Sequence, residues 1–295
     1  MIKINQIIFV ISIIIVSISA QGNAVGTCFD LTNSLQLNQG VSGQFAQLFI
    51  PDYYAPPIDG KFTLVFHLHS ASWAAEDQVY VAGVNAILFN IQLGAFSSPY
   101  QNYFRSQGRY SAILDTITNT LQKQNIINAP RIEQIIMTAF SAGYAGIREI
   151  LKTPSYYTGI SAINLADGLH CNSDPPVRDI QMQDFLRFAR DARAAKKIML
   201  ITHTSILTTG YENTTQTADY LIDRLGATRR LDTTVDEIGT SYSSCDTGRF
   251  NLKGYLGQTA GDHMAHLHGM HLLLSETNAL LDSGNPENNT KPVIR

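Results

Sequence analysis

Short apolar runs alternate along this chain with segments in which apolar residues recur at helical spacing. The apolar and β-branched runs predict strands over residues 43–51, 61–69, 83–94, 133–140, 158–167, 197–203 and 250–256. Helical spacing predicts helices over 110–122, 142–151, 182–195, 217–225 and 262–281. Polar stretches predict irregular structure at 21–42, 172–180 and 227–247. Strands that alternate with helices predict an α/β fold, with a mostly parallel central sheet and helices on both faces.

The segment Ala139-Phe140-Ser141-Ala142-Gly143 joins one predicted strand to the helix that follows it. A serine on a sharp strand-to-helix turn needs small residues two positions away on each side, because the two backbone arms nearly touch. Ala139 and Gly143 meet this need, and the start of the helix favours negative charge on a reacting oxygen. The pattern predicts Ser141 as a nucleophile. The alternative is a serine that caps the helix.

The eight histidines lie near the ends of predicted strands or in the last predicted helix, at positions 67, 69, 170, 203, 263, 266, 268 and 271. Functional sites of parallel sheets lie at the carboxyl ends of the strands. A nucleophilic serine needs a base that takes its proton. We predict that His263, before the last helix, is this base, with His266 one turn further on as the rival. His268 and His271 are expected to be structural or rim residues.

The acid that orients this base is predicted to be Asp167. No carboxylate follows the strand 197–203, where such an acid often stands, but the preceding strand ends in Asp167-Gly168. A turn-forming Asp-Gly pair is the alternative. Asp262 and Glu212 are reserve candidates for the acid.

Two N–H donors must meet the oxyanion that forms when the serine attacks. The first is the N–H of Ala142, directly after the candidate nucleophile. The second is expected after the strand 61–69, from the N–H of Ser70 or Ala71. Further residues near predicted strand ends could line the pocket, namely His67, His69, His203, His266 and Trp73.

The length of 295 residues fits one large domain, placed at 21–282 and followed by a loose tail at 283–295. Residues 1–20 combine an early lysine, an apolar core and small final residues, which is typical of a secretory signal peptide. We therefore expect a soluble protein that is secreted or lies in the lumen of the secretory or lysosomal pathway, without stable membrane insertion. A net charge of −3 gives no indication of nucleic-acid binding.

Two further features would suit this compartment. Asn213 and Asn288 each begin an Asn-x-Thr sequon, the acceptor for N-glycosylation. The three cysteines, Cys28, Cys171 and Cys245, allow one disulfide. The sequence leaves the pair open, and Cys171 with Cys245 is the pair we expect, because both follow segments placed near the site.

The H-L-H-S turn at 67–70, the A-F-S-A-G turn at 139–143, the strand end at Asp167 and the late His263 together resemble an α/β-hydrolase-fold serine hydrolase over residues 45–280. Nucleophile, acid and base follow one another in the order of that superfamily. The resemblance implies serine attack, an acyl-enzyme and hydrolysis of an ester or amide in a small or polymer-linked substrate, with no cofactor. The turn at 67–70 lacks the glycines of the His-Gly oxyanion turn of lipases and esterases.

Two other classes of function stay open. A metal-dependent hydrolase could draw its ligands from His67 with His69, His263 with His266, and Asp262 or Asp167, although neither histidine spacing is a strong metal pattern. The alanine at the first small position of the turn and the displaced acid would also suit a hydrolase fold that has lost activity and serves for binding. The sequence favours the secreted serine hydrolase, which needs no metal.

Overall fold

The structure is a computed structural model that describes residues 22–37 and 43–283. The predicted signal peptide at 1–20, the sequon at Asn288 and nearly all of the predicted tail at 283–295 lie outside the described residues. Within them, one ten-stranded sheet forms the centre of the protein.

The sheet is parallel in its middle and antiparallel at both edges. Its strands are β1 (Gly26–Asp30), β2 (Phe45–Pro51), β3 (Lys61–Leu68), β4 (Ala86–Gln92), β5 (Arg131–Phe140), β6 (Ile160–Ala166), β7 (Ile198–His203), β8 (Arg230–Leu231), β9 (Ser241–Thr247) and β10 (Phe250–Tyr255). Their order is β1-β2-β4-β3-β5-β6-β7-β10-β9-β8, and the six strands from β4 to β10 in this order are parallel. The carboxyl ends of these six strands therefore meet along one edge of the sheet.

Helices cover both faces of the sheet. They are α1 (Ser72–Ala82), α2 (Ser97–Arg105), α3 (Arg109–Lys123), α4 (Tyr144–Leu151), α5 (Pro154–Gly159), α6 (Pro175–Arg193), α7 (Thr214–Leu225), α8 (Ala260–His268) and α9 (Met270–Ser283). One buried cluster joins α1, α8 and α9 to the sheet, and another joins α2 to α7 to the opposite face. The predicted α/β class is confirmed, and the strand order with the serine turn after β5 is that of an α/β-hydrolase fold.

Strand β5 is central because both of its faces are apolar. Ile135 and Met137 pack into the cluster beneath α2 to α7, while Ile136 and Phe140 pack into the cluster beneath α1, α8 and α9. An almost continuous apolar run is what a strand buried on both faces requires. The strand lies between β3 and β6, so Ser141 at its carboxyl end lies in the middle of the edge where the carboxyl ends of the six parallel strands meet.

Two segments that we predicted to be irregular form regular structure. Residues 172–180 contain the start of α6, whose first turn holds two prolines, and proline is tolerated there because its missing N–H is not needed. Residues 227–247 contain β8 and β9. Strand β9 buries every second residue, but two of its three buried positions are serines, so the apolar signal was weak.

The predicted helix over 262–281 is two helices, α8 and α9, which meet at Gly269. The side chain of Ile238 occupies the space that a Cβ at Gly269 would need. Residues 21–42, predicted to be irregular, contain β1 at the edge of the sheet. Helix α1 was not predicted, because it buries Glu76 and Gln78 together with alanines and so lacks a clear apolar stripe.

The predicted disulfide between Cys171 and Cys245 is wrong, because both are free, buried thiols. Cys171 follows β6, whereas Cys245 lies in β9, three strand positions away, which is about 14 Å at ordinary strand spacing. A disulfide needs Cα atoms within about 7 Å of each other. Among the described residues, no helix has the length and apolar character of a membrane span.

Candidate active site

Ser141 stands at the sharp turn between β5 and α4. Its φ of +47° lies in the left-handed region, which costs a residue other than glycine about 1–3 kcal/mol and is typical of functional sites. Residues Ser141–Gly143 form a short 3₁₀ turn, and the residue that caps α4 is Gly143. Ser141 is therefore not the helix cap that the alternative interpretation required.

Close backbone approaches explain why this turn needs small residues. A Cβ at Gly143 would collide with the carbonyl oxygen of Leu68 at the end of β3. A Cβ at Gly168 would lie 2.5 Å from the carbonyl oxygen of Ser141. The first small position is less demanding, since Ala139 lies inside the sheet and is paired with Leu68 and Leu165. An alanine there is compatible with the turn.

Asp167 follows β6 directly and contacts the predicted base. Its Oδ2 lies 2.6 Å from Nδ1 of His263. The Thr204 N–H donates to Oδ1 at 2.9 Å, and the hydroxyl of Thr214 donates to the same oxygen at 2.7 Å. The hydroxyl of Thr204 donates to Oδ2 at 3.0 Å. Asp167 is thus a buried carboxyl that accepts four hydrogen bonds.

These contacts determine the charge of Asp167 and the tautomer of His263. Burial by itself raises the pKa of Asp167, but the hydrogen bond from His263, the nearby His266 and the donors Thr204 and Thr214 outweigh it and hold the pKa well below its usual range. An ionised carboxylate only accepts, so Nδ1 of His263 carries the proton. Nε2 is then the nitrogen that can take a proton from a substrate or nucleophile.

Ser141, Asp167 and His263 line one cavity of about 340 Å³. Its remaining lining residues carry neutral side chains, namely His170, Thr204, Ile206, Thr208, Tyr211, Thr214, Gln258, Thr259 and Ala260. The ring of Phe140 lies beside this group, 4.5 Å from the ring of His263 and 6.1 Å from that of His69. The structure therefore brings together the nucleophile, acid and base that we predicted from the sequence.

His266, the rival for the base, has a different environment. It is buried, its Nδ1 lies 2.8 Å from the hydroxyl of Thr202, and Tyr255 packs edge-on against its ring. Burial lowers the pKa of His266 to about 4. The ring is packed as a neutral core histidine, so the contact with Asp167 belongs to His263.

The prediction that His67, His69, His203, His266 and Trp73 line the pocket is wrong, because none of them lines this cavity. His67 is buried in β3 with Nδ1 2.7 Å from the hydroxyl of Thr138. His203 is fully buried, and its Nδ1 donates to the carbonyl oxygen of Thr204 at 2.8 Å. Burial lowers the pKa of His67 to about 3 and that of His203 to about 4. His69 stacks on Phe140 close to the site, and burial lowers its pKa also.

The candidate donors Ser70 and Ala71 lie in the turn after β3, which touches the turn that holds Ser141 and Ala142. The carbonyl of Leu68 packs against Gly143, and His69, the next residue, has a φ of +77°. Ser70 is buried, and its hydroxyl donates to the carbonyl oxygen of Ala71 at 3.0 Å. The N–H groups of Ala142 and of Ser70 or Ala71 stay predictions for the oxyanion site.

Several other candidates have partners other than Asp167 and His263. Trp73 stacks on His268 on the α1 side of the sheet, and His271 bonds to Gln78. Asp262 is bonded to Thr259 in the capping box of α8. Glu212 pairs with Cys171 in an isolated bridge. Within residues 22–37 and 43–283, no three histidine, cysteine or acidic side chains are grouped so as to hold a metal ion.

Three residues of this site were missed in the sequence. Thr204 and Thr214 hold Asp167, and His170 lines the cavity with Nδ1 3.1 Å from the carbonyl oxygen of Glu212. A signal was available for Thr214, because Asn213 and Gln216 form a capping box that places it in the first turn of α7. We did not use this signal, because Asn213 was interpreted as part of a sequon and not as a helix cap. Asn213 is buried and caps the helix, and its glycosylation stays a prediction.

Comparisons with known proteins add only distant likenesses. No family model matches the chain, and no curated protein matches it. Among solved structures, an S-formylglutathione hydrolase from Agrobacterium tumefaciens is similar, with a TM-score of 0.44, 10% identity, and coverage of 90% of this chain and 99% of that one. A siderophore hydrolase from Aspergillus nidulans has a TM-score of 0.44 and 11% identity, with coverage of 78% of this chain and 90% of that one. The feruloyl esterase module from Clostridium thermocellum has a TM-score of 0.41 and 11% identity, with coverage of 77% of this chain and 82% of that one. These TM-scores lie below 0.5, and the site stands on this chain's own geometry.

Proposed function

We propose that this chain is a serine hydrolase that cleaves ester or amide bonds through Ser141, His263 and Asp167. The observation that carries this proposal is the contact of 2.6 Å between Asp167 and Nδ1 of His263, in a cavity that Ser141 shares. A buried carboxylate on one nitrogen of a histidine, beside a serine on a strained turn, is the arrangement that activates a serine for acyl transfer.

The reaction follows from the proton positions. Nε2 of His263 takes the hydroxyl proton of Ser141 as Oγ attacks the carbonyl carbon of the substrate. The N–H of Ala142 and one N–H of Ser70 or Ala71 meet the oxyanion that develops. The imidazolium then gives its proton to the leaving alcohol or amine, which leaves an acyl-enzyme. Water gives a proton to His263 as it attacks the acyl carbon, and His263 then returns this proton to Oγ of Ser141 as the bond between Oγ and the acyl carbon breaks and the acid is released.

The proposed setting is outside the cytosol. Residues 1–20 resemble a secretory signal peptide, and two sequons suit a secreted glycoprotein. The cavity lining is neutral apart from the Asp167–His263 pair, which suits an uncharged substrate group, either in a small molecule or linked to a polymer.

Replacement of Asp167 by asparagine tests the proposal. The substituted side chain would present an amide in place of the carboxylate, so the proton on Nδ1 of His263 would lose its partner and the wrong tautomer would form. We expect Asp167→Asn to lower kcat for a short acyl ester by about 10⁴-fold. The measurement is steady-state hydrolysis by protein whose fold has been checked by circular dichroism.

Asp191→Asn is a matched control, because Asp191 also accepts a hydrogen bond of 2.6 Å, from Tyr157, but lies on α6 away from the cavity. This control should hydrolyse the ester at the wild-type rate. Wild-type kcat in folded Asp167→Asn would mean that another group is the acid. Absence of any hydrolysis by folded wild-type protein, over a panel of esters and amides, would favour a binding protein instead.

A further inference from the structure

The position directly after β7 is occupied by Thr204, a residue without charge. An acid of this kind often stands at this position, but the predicted acid Asp167 stands one strand away, after β6. Thr204 compensates for this displacement with two donors, its backbone N–H to Oδ1 and its hydroxyl to Oδ2. Thr214, at the first position of α7, adds a third donor to Oδ1.

We propose that Thr204 and Thr214 are positioning residues that orient the carboxylate of Asp167 toward His263. The first and last residues of the segment 204–214 therefore both donate hydrogen bonds to this acid. This inference rests on the proposed triad and deepens it. The same segment contributes Ile206, Thr208 and Tyr211 to the cavity wall. Contact with the substrate and orientation of the acid are therefore functions of one segment of chain.

The backbone of Thr204 is itself held by hydrogen bonds. Its carbonyl oxygen accepts from Nδ1 of His203 at 2.8 Å and from the hydroxyl of Thr215 at 2.9 Å. Nη1 of Arg229 lies 3.2 Å from Nε2 of His203 and binds the hydroxyl of Ser243 at 2.7 Å. These contacts fix the backbone at Thr204. Its side-chain hydroxyl, which donates to Asp167, also accepts from the N–H of Ile206 at 3.2 Å, so rotation of the side chain would break both of these hydrogen bonds.

Thr214 is fixed by the start of α7. Asn213 and Gln216 close a capping box around it, with 2.9 Å between Oδ1 of Asn213 and the N–H of Gln216. Thr214 is buried and its hydroxyl points to Asp167. The first turn of α7 therefore presents this hydroxyl in one orientation.

Loss of a donor should change the pH dependence of the reaction. Asp167 with one hydrogen bond fewer keeps more of its negative charge for the imidazolium of His263, so the acid limb of the pH profile should move up. The other titratable groups that face this pair are His266 on α8, His170 after β6, His203 on β7 and His69 after β3. All four remain in place in the variants below, so they act equally on each.

The test compares Thr214→Val with Thr217→Val. Both changes remove a buried threonine hydroxyl from the first turns of α7, but that of Thr217 donates to the carbonyl oxygen of Leu169 and not to Asp167. For Thr214→Val we expect kcat/KM to fall about tenfold and the acid limb of its pH profile to move up by about half a pH unit. Thr217→Val should keep the wild-type limb, and Thr214→Ser should restore it.

A second readout does not depend on activity. The NMR resonance of the Nδ1 proton of His263, which reports on its hydrogen bond to Asp167, should shift in Thr214→Val and keep its wild-type position in Thr217→Val. An unchanged resonance in all three proteins would overturn the proposal. If folded wild-type protein hydrolyses no ester or amide, the proposed function fails, while the NMR comparison still decides whether Thr214 positions Asp167.

Discussion

At the scale of single residues, the protein keeps three histidines neutral in its interior. Burial lowers the pKa of His67 to about 3 and the pKa values of His203 and His266 to about 4. An unfolded histidine titrates near pH 6.5. Below that pH these histidines bind protons in the unfolded chain but stay neutral in the folded protein, so a lower pH favours unfolding.

This predicts a stability that falls as the pH drops from about 6.5 toward 4. Each of the three histidines removes up to about 1.4 kcal/mol of unfolding free energy per pH unit in this window. Glu76, whose pKa burial raises to about 7, acts in the opposite direction and offsets part of the loss. Urea unfolding of wild type and His266→Gln between pH 7 and 4.5 isolates one histidine. The variant should lose stability less steeply, and equal slopes would contradict the account.

The residues that the sequence could assign are those whose role is tied to a position in the fold. Ser141 was found because a strand-to-helix turn demands small neighbours, and Asp167 because it ends a strand. His263 could be ranked above His266 but not separated from it, since one helical turn decides which ring reaches Asp167. Thr204 and Thr214 could not be found as donors, because a threonine hydroxyl bonds to many kinds of partner and has no characteristic spacing.

At the scale of elements, the turn after β5 depends on the turn after β6. Gly168 packs directly on the backbone of Ser141, and a Cβ there would lie 2.6 Å from its nitrogen. Gly168, which we predicted to form a tight turn after Asp167, therefore also packs against the turn that holds Ser141. The turns after the neighbouring strands β5 and β6 are therefore in direct backbone contact at Ser141 and Gly168.

Gly168→Ala should damage both stability and activity. The new methyl group must push the backbone of Ser141 away, which we expect to cost about 1–3 kcal/mol of unfolding free energy and to displace Ser141 from His263. Gly159→Ala is the control, because no atom lies within 4 Å of its Cβ position at the end of α5. Urea unfolding and ester hydrolysis should show a loss for the first variant and wild-type values for the second. Wild-type behaviour of both would mean that the contact does not matter.

Elements with a strong period of two or of 3.6 were predictable, and elements that bury polar residues were not. Strand β5 and helix α3 lie where the apolar pattern placed them. Helix α1 and strand β9 escaped because their buried faces contain glutamate, glutamine and serine. The break at Gly269 depends on Ile238, which lies far away in the sequence.

At the scale of the whole molecule, alternation of strands and helices was enough to predict the class of fold. The order of strands across the sheet could not be derived, because it depends on which strand each crossover reaches. That order is what places the ends of β5, β6 and β10 at one edge and brings residues 141, 167 and 263 into one cavity. Residues more than a hundred positions apart thereby form one site.

The most direct test of the central claim is covalent labelling by a fluorophosphonate probe, followed by mass spectrometry of the labelled peptide. Wild-type protein should be modified at Ser141 and Ser141→Ala should not. His263→Ala should react far more slowly, whereas folded His266→Gln should react at close to the wild-type rate. Folded wild-type protein that takes up no label, or a His263→Ala variant that is labelled as fast as wild type, would contradict the account.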